Sequence, residues 1–201
     1  MSDQAAERRA IRLALRERRS RLQAGDQREA SIAVMAHLAG VSVLRSASIV
    51  SGYRSIRGEI DIDASMSVLR EAGSVVTVPR VIGDHLEFLP WHAKLEAVPG
   101  PFGIEEPVDG EPVPLLRHDV VLAPLVAFDS HGHRLGQGGG YYDRALGVIA
   151  PKKRPIIIGI AHSFQQVERV PSEAWDVPLD AVITDEEILE FRPGALDAPI
   201  H

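Results

Sequence analysis

The stretch richest in chemical possibility is Arg134-Leu135-Gly136-Gln137-Gly138-Gly139-Gly140-Tyr141-Tyr142-Asp143-Arg144. Four glycines in five positions run into two tyrosines, an aspartate and an arginine. Glycine serves where a backbone must take positive φ or approach another molecule closely. A helix starting just after Gly140 would direct its free N–H groups into this loop and attract an anion, most naturally phosphate. Asp143 would then sit in the first turn, able to hold a phosphate-bound Mg²⁺. A ligand-free strand-to-helix turn is the simpler reading, but it leaves the flanking Arg134 and Asp143 unexplained. The loop is neither common nucleotide fingerprint. A P-loop ends in Gly-Lys-Ser/Thr, whereas Tyr141-Tyr142 follow Gly140. The dinucleotide pattern wants a third glycine where Tyr141 stands.

A second group lies far upstream. Residues 4–23 hold no Gly or Pro and read as a helix. Ile11, Leu15 and Leu22 share one narrow face, and Arg8, Arg12, Arg16 and Arg19 line up beside it. Such a stripe is either a solvated face or an anion-binding edge of a cleft. Glu59 could be a helix cap or a ligand for a polar substrate, and Asp176 a turn residue or a second Mg²⁺ carboxylate. His131 and His133, close to Asp129, form a His-x-His pair. A zinc site needs further ligands, and His131-Gly132 reads as a turn. No Gly-x-Ser-x-Gly elbow of a serine hydrolase is present.

Composition narrows the class. The chain has 201 residues, 45% hydrophobic and 25% charged, and no cysteine. That excludes disulfides, thiolate metal sites and a cysteine nucleophile. Net charge is −6, unevenly spread. Seven of the 22 Lys and Arg lie between Arg8 and Arg21, leaving an acidic body that disfavours nucleic acid as a partner. No apolar run reaches the roughly 18 residues of a membrane span. The charged segment from Asp3 onward lacks the apolar region of a secretion signal, so a cytoplasmic location is expected.

The elements that must position these residues alternate. A second helix is expected over 27–39, after a break at Gly25-Asp26. A short buried strand follows at Ser48–Ser51, then the loop from Gly52 to Glu59. Asp61 or Asp63 can cap a helix ending at Ala72-Gly73. Strands are expected at Val75–Pro79, Leu86–Leu89, Val120–Ala123 and Ile156–Ile160, with Ala181–Thr184 the last. A helix is expected from Tyr141 to Ile149, and residues 97–116 should form a long ordered loop. Apolar strands without alternation imply an α/β fold: a single domain over 1–201, with a mainly parallel central sheet covered by helices on both faces.

Together these residues resemble the 5-formyltetrahydrofolate cyclo-ligase family (5,10-methenyltetrahydrofolate synthetase). The likeness runs through Pro124-Leu125-Val126-Ala127-Phe128-Asp129, Gly132, and Arg134-Leu135-Gly136 to Tyr141-Tyr142-Asp143-Arg144. Smaller matches are Arg8 to Arg12, Gly52 to Asp61, Pro79-Arg80, Gly103 to Pro107, Gln165, and Asp176 to Asp180. The resemblance implies an ATP- and Mg²⁺-dependent ligase that closes 5-formyltetrahydrofolate to 5,10-methenyltetrahydrofolate, releasing ADP and phosphate. ATP contacts would fall on Arg8, Arg12, Arg134, Leu135, Gly136, Gln137, Gly138, Gly139, Gly140, Tyr141 and Tyr142. Folate contacts would fall on Gly52, Tyr53, Glu59 and Gln137 through Tyr141. Asp143 and Asp176 would be the magnesium carboxylates, and no catalytic side chain is implied. Arg8 stands where lysine is frequent, and Gln137 and Gly139 are neutral where relatives can be basic. A monomer acting on a small molecule, with no nucleic-acid or membrane partner, is expected.

Overall fold

The computed structural model describes residues 3–100 and 103–197. The helices are α1 (Asp3–Ser20), α2 (Ala24–Gly40), α3 (Ser42–Ser46), α4 (Asp63–Glu71) and α5 (Tyr141–Gly147). The strands are β1 (Ile49–Ser51), β2 (Val75–Ile82), β3 (His85–Pro90), β4 (Ala97–Pro99), β5 (Glu105–Pro107), β6 (Val120–Pro124), β7 (Ala127–Phe128), β8 (Arg134–Leu135), β9 (Ile156–Ile160), β10 (Ala181–Ile183) and β11 (Ile188–Glu190).

One seven-stranded sheet runs in the order β11-β10-β9-β6-β1-β2-β3. The five inner strands are parallel, and the edge strands β3 and β11 pair antiparallel. The apolar strands explain the two-sided covering. Val120, Leu122, Ile156 and Ile158 point to one face, packed with Ala30, Val34 and Leu38 of α2, Val43 and Leu44 of α3, and Met66 of α4. Val121, Ala123 and Ile157 point to the other, against Leu146 of α5. Helix α1 lies apart from both layers. Its Ile11 and Leu15 pack on Ala127, Leu135 and Val170 beside the small β7–β8 hairpin. Among the described residues no helix is long and apolar enough to cross a membrane.

Several boundaries differ from the sequence reading. Gly25-Asp26 lies inside the first turn of α2, and the break falls at Arg21–Gln23. Asp26 there favours the positive helix end. β2 runs on through Pro79, which is tolerated because β1 pairs only with residues 75–77. Helix α5 stops at Gly147 rather than Ile149. The long loop 97–116 contains the β4–β5 hairpin; its residues 101 and 102 are outside the described set. Ala181–Thr184 is not the last strand. The Thr184 hydroxyl accepts the N–H groups of Glu186 and Glu187, turning the chain back into β11.

The loops after β1, β6 and β9 leave the carboxyl ends of adjacent parallel strands, the usual ligand position in an open sheet. Those loops carry Gly52–Glu59, the β7–β8 hairpin with the glycine loop, and the return from His162 to Leu179.

Candidate active site

The glycine loop is held by its carbonyls. Arg12 Nε donates to the Gly136 carbonyl at 2.8 Å, Arg16 to the Gln137 carbonyl at 2.7 Å and Arg144 to the Gly139 carbonyl at 2.7 Å. None of the backbone N–H groups from Gly136 to Gly140 donates to another group among the described residues. Gly138 and Gly140 take φ of 111° and 65°, the left-handed region that favours glycine. With oxygens tied back and nitrogens free, the loop is a ready anion-binding concavity.

The arginine stripe is not a solvated face. Each of its members reaches across to another part of the chain. Arg8 meets Asp176 at 2.5 Å, Arg12 and Arg16 take the loop carbonyls, and Arg19 is buried. Burial, then repulsion from Arg8 and Arg16, lowers the Arg12 pKa and leaves that guanidinium charge under-compensated despite nearby Asp176. Arg8 Nε and Arg16 Nε are buried without a hydrogen-bond partner. An anion would relieve both deficits.

Asp143 and Asp176 converge on the same cleft, as the sequence reading required. Asp129 brings this about. Its fully buried carboxylate accepts the N–H groups of His131, His133 and Val170, and pairs with the His133 ring. Burial opposes its charge, but these bonds win and hold its pKa below the usual carboxylate value. The His-x-His pair therefore belongs to a turn. Among the described residues no group of three or more His, Cys, Asp or Glu could hold a metal. Asp129 clips the 162–180 segment to the hairpin, and Leu179 N–H donates to the Gly132 carbonyl at 2.9 Å. Val177 N–H then reaches Asp143 Oδ1 at 3.1 Å, and Arg134 donates to the Val177 carbonyl.

Each aspartate uses one oxygen structurally. Asp143 Oδ1 accepts from Arg134 (2.6 Å) and Val177, and Asp176 Oδ2 from Arg8 and Glu173 (2.9 Å). The other oxygen of each accepts no hydrogen bond among the described residues. Mg²⁺ takes one or two carboxylates, with water and phosphate oxygens completing its shell. The donor set fits that ion.

The cleft these groups line has a volume of about 960 Å³ and is bounded by Arg8, Arg12, the glycine loop, Asp143, Asp176 and Trp175, a size suited to a small ligand. Leu135 also borders the cleft and is otherwise buried. Tyr142 packs on the core, and its hydroxyl is buried without a partner. Burial raises the pKa of that hydroxyl and keeps it protonated as a donor, with Glu59 and Arg134 acting on it electrostatically.

On the other side of the loop, Glu59 is 8% exposed. Its Oε1 accepts from Gln137 at 2.8 Å and from Arg19 at 3.3 Å, while Oε2 accepts the Ile56 N–H at 3.2 Å. Burial raises its pKa, partly offset by Arg19. Arg19 also donates to the Arg57 and Leu125 carbonyls, joining α1, the 52–59 loop and the end of β6. Tyr53 is a core residue whose hydroxyl donates to the Ile60 carbonyl at 2.7 Å. A side chain at Gly52 would collide with Met66. These two residues shape the loop from within. Sequence reasoning placed Arg16 and Arg19 on the stripe without a role and gave none to Arg144. Continuation of the i, i+4 arginine spacing was the available signal for Arg16.

Comparison with known proteins gives the family. The profile of the 5-formyltetrahydrofolate cyclo-ligase family matches residues 4–185. The chain is 37% identical over 183 residues to the 5-formyltetrahydrofolate cyclo-ligase of Escherichia coli K12, covering 88% of this chain and 100% of that protein. It is 37% identical over 177 residues to that of Haemophilus influenzae, covering 86% and 94%. The NMR structure of Aquifex aeolicus 5,10-methenyltetrahydrofolate synthetase superposes with a TM-score of 0.81 at 32% identity, covering 93% of this chain and 94% of that one. The 5,10-methenyltetrahydrofolate synthetase of Mycoplasma pneumoniae gives 0.73 at 25% identity, covering 89% and 98%. The site and these likenesses lead to one assignment: this chain belongs to the 5-formyltetrahydrofolate cyclo-ligase family.

Proposed function

We propose that the protein is a ligase that uses ATP and Mg²⁺ to close 5-formyltetrahydrofolate to 5,10-methenyltetrahydrofolate, releasing ADP and phosphate. The observation that carries the nucleotide reading is the glycine loop itself, with carbonyls held by three arginines and N–H groups from 136 to 140 unengaged. ATP phosphates lie against that loop, Arg8 and Arg12. The folate lies toward Glu59, whose two oxygens offer about four acceptor positions, three already used. Gln137 stands between the two, its side chain on Glu59 and its carbonyl on Arg16.

The N5-formyl group is an amide, and its oxygen is a poor leaving group. The γ-phosphoryl group passes from ATP to that oxygen, and ADP departs. N10 then attacks the formyl carbon and loses its proton, and the carbon–oxygen bond breaks to expel phosphate. No side-chain nucleophile is needed, so the protein's work is to position the reactants and offset charge. Asp143 and Asp176 would hold Mg²⁺, which when bound neutralises phosphate charge. Arg134 and Arg8 orient those carboxylates.

The test is growth of methenyltetrahydrofolate absorbance on mixing protein, 5-formyltetrahydrofolate, ATP and Mg²⁺. Product should form only when ATP and Mg²⁺ are both present. Equal turnover without ATP would remove the ligase reading.

A further inference from the structure

Two of the four glycines in the loop answer to neighbouring side chains rather than to a ligand. A Cβ at Gly139 would lie 2.5 Å from the Tyr141 ring, and one at Gly140 would lie 3.0 Å from Arg144 Nη1. The ring and the guanidinium also meet each other. Arg144 Cζ stands 4.8 Å from the Tyr141 ring centroid, within the range of a cation–π contact. The loop backbone is thus packed against two side chains of the helix that follows it.

Arg144 does more than fill space. Its Nη1 donates to the Gly139 carbonyl at 2.7 Å, and its Nε donates to the Asp84 carbonyl at 2.9 Å. Asp84 lies in the turn between β2 and β3, 60 residues away in sequence. One guanidinium therefore joins the glycine loop to a hairpin on the far side of α5. Glycine restricts its own backbone less than any other residue, so a loop this rich in it needs outside contacts to hold one conformation. A planar fork with donors in fixed directions can serve both carbonyls at once, which a single ammonium cannot do with the same geometry.

We infer that Arg144 is a positioning residue, which ties the glycine loop to the β2–β3 turn and sets it in its phosphate-binding form before nucleotide arrives. This rests on the ATP reading above and adds which contact outside the loop keeps it ordered. Both acceptors are backbone carbonyls, so the residue acts through the loop and not through a bond to substrate. Its contribution is an ordering cost removed from the binding step.

Arg144→Ala should loosen the loop in the nucleotide-free protein. NMR relaxation of amide nitrogens should show the order parameters of Gly139 and Gly140 falling from about 0.85, typical of rigid backbone, to below about 0.6, with those of β6 and β9 unmoved. By calorimetry the variant should bind inorganic tripolyphosphate with Mg²⁺ about 2–12-fold more weakly, the range of one net hydrogen bond. KM for ATP should rise by a similar factor, and KM for 5-formyltetrahydrofolate should hold. Arg144→Lys keeps the charge without the fork and should stay closer to Arg144→Ala than to wild type in both measurements. Loop order parameters unchanged in Arg144→Ala would overturn the positioning role, whether the affinity falls (a direct phosphate contact) or only the melting temperature does (a fold contact). Full recovery by Arg144→Lys would overturn it too, since charge alone would then suffice. Failure of the wild-type protein to bind either tripolyphosphate or ATP would overturn the nucleotide reading and the proposal with it, a result distinct from a loop whose order ignores Arg144.

Discussion

The carboxylates flanking the glycine loop are set on opposite terms. Asp143 and Asp176 are partly exposed, and each commits a single oxygen to an arginine and a backbone N–H. Glu59 is buried, both its oxygens are engaged, and its partner Arg19 is 2% exposed. The first arrangement can take on a cation without dismantling anything. The second is a fixed post on which α1, the 52–59 loop and Gln137 all depend. Loss of a partner should therefore cost function in the cleft and stability at Glu59.

The largest effect should come from Arg19→Ala. It strands a buried carboxylate and frees the Arg57 and Leu125 carbonyls, and breaking a buried pair costs about 3–5 kcal/mol. Urea unfolding should show the loss as a lowered midpoint. An unchanged midpoint would mean that Glu59 tolerates isolation and that the contrast is wrong.

Next is Arg12→Ala. This arginine holds the Gly136 carbonyl and faces the cleft. A charge-assisted contact of about 1.5–3 kcal/mol corresponds to about a 10–150-fold rise in KM for ATP. Thermal stability should hardly move. Unaltered kinetics would leave Arg12 only a structural partner of the glycine loop.

Asp143→Asn sharpens the metal half of the comparison. The fold should persist while the Mg²⁺ midpoint rises by at least about 10-fold, the scale on which metal sites respond to loss of a supporting partner. High Mg²⁺ or Mn²⁺ should restore part of the turnover. If Asp143 only favours the helix end, the change should cost about 0.3–1 kcal/mol of stability and leave the metal titration alone.

The smallest effect is a pH dependence on the Glu59 side. His162 is buried, and its Nε2 lies 2.9 Å from the Gly58 carbonyl beside Glu59. Burial lowers its pKa below 6.5 against the opposing bond to Gly58. A depressed folded pKa means that its contribution is complete above 6.5 and is lost as pH falls through the folded value. Stability of the wild type should decline as pH falls from 6.5 toward the folded value, with a slope of at most about 1.4 kcal/mol per pH unit from this group. His118, also lowered by burial, acts in the same direction, so the His162 share is the difference from His162→Asn. Identical pH profiles for the two proteins would show that His162 does not feel its burial.

The parallel core was legible in the sequence because strands such as Ile156–Ile160 are apolar on every residue, a pattern that needs helices on both faces. The glycine loop was legible because few other settings need so many glycines before Tyr141. Local propensity could not reveal the β4–β5 hairpin or β11, whose pairs lie in an irregular Pro-rich loop and beyond a turn closed by Thr184. Nor could it give Arg19 its partner. Glu59 is 40 residues away, and the Gln137 carbonyl is 121 from Arg16. Such pairings exist only once α1 docks on the β7–β8 hairpin. The stripe was visible, but the direction it faced was not.

The central claim is that this cleft delivers the γ-phosphoryl group to the formyl oxygen. Heavy-oxygen labelling of the formyl group in 5-formyltetrahydrofolate, followed by mass analysis of the released phosphate, tests it most directly. The account predicts that the label leaves in inorganic phosphate, one labelled oxygen for each methenyltetrahydrofolate formed. Label recovered in water, with unlabelled phosphate, would contradict it.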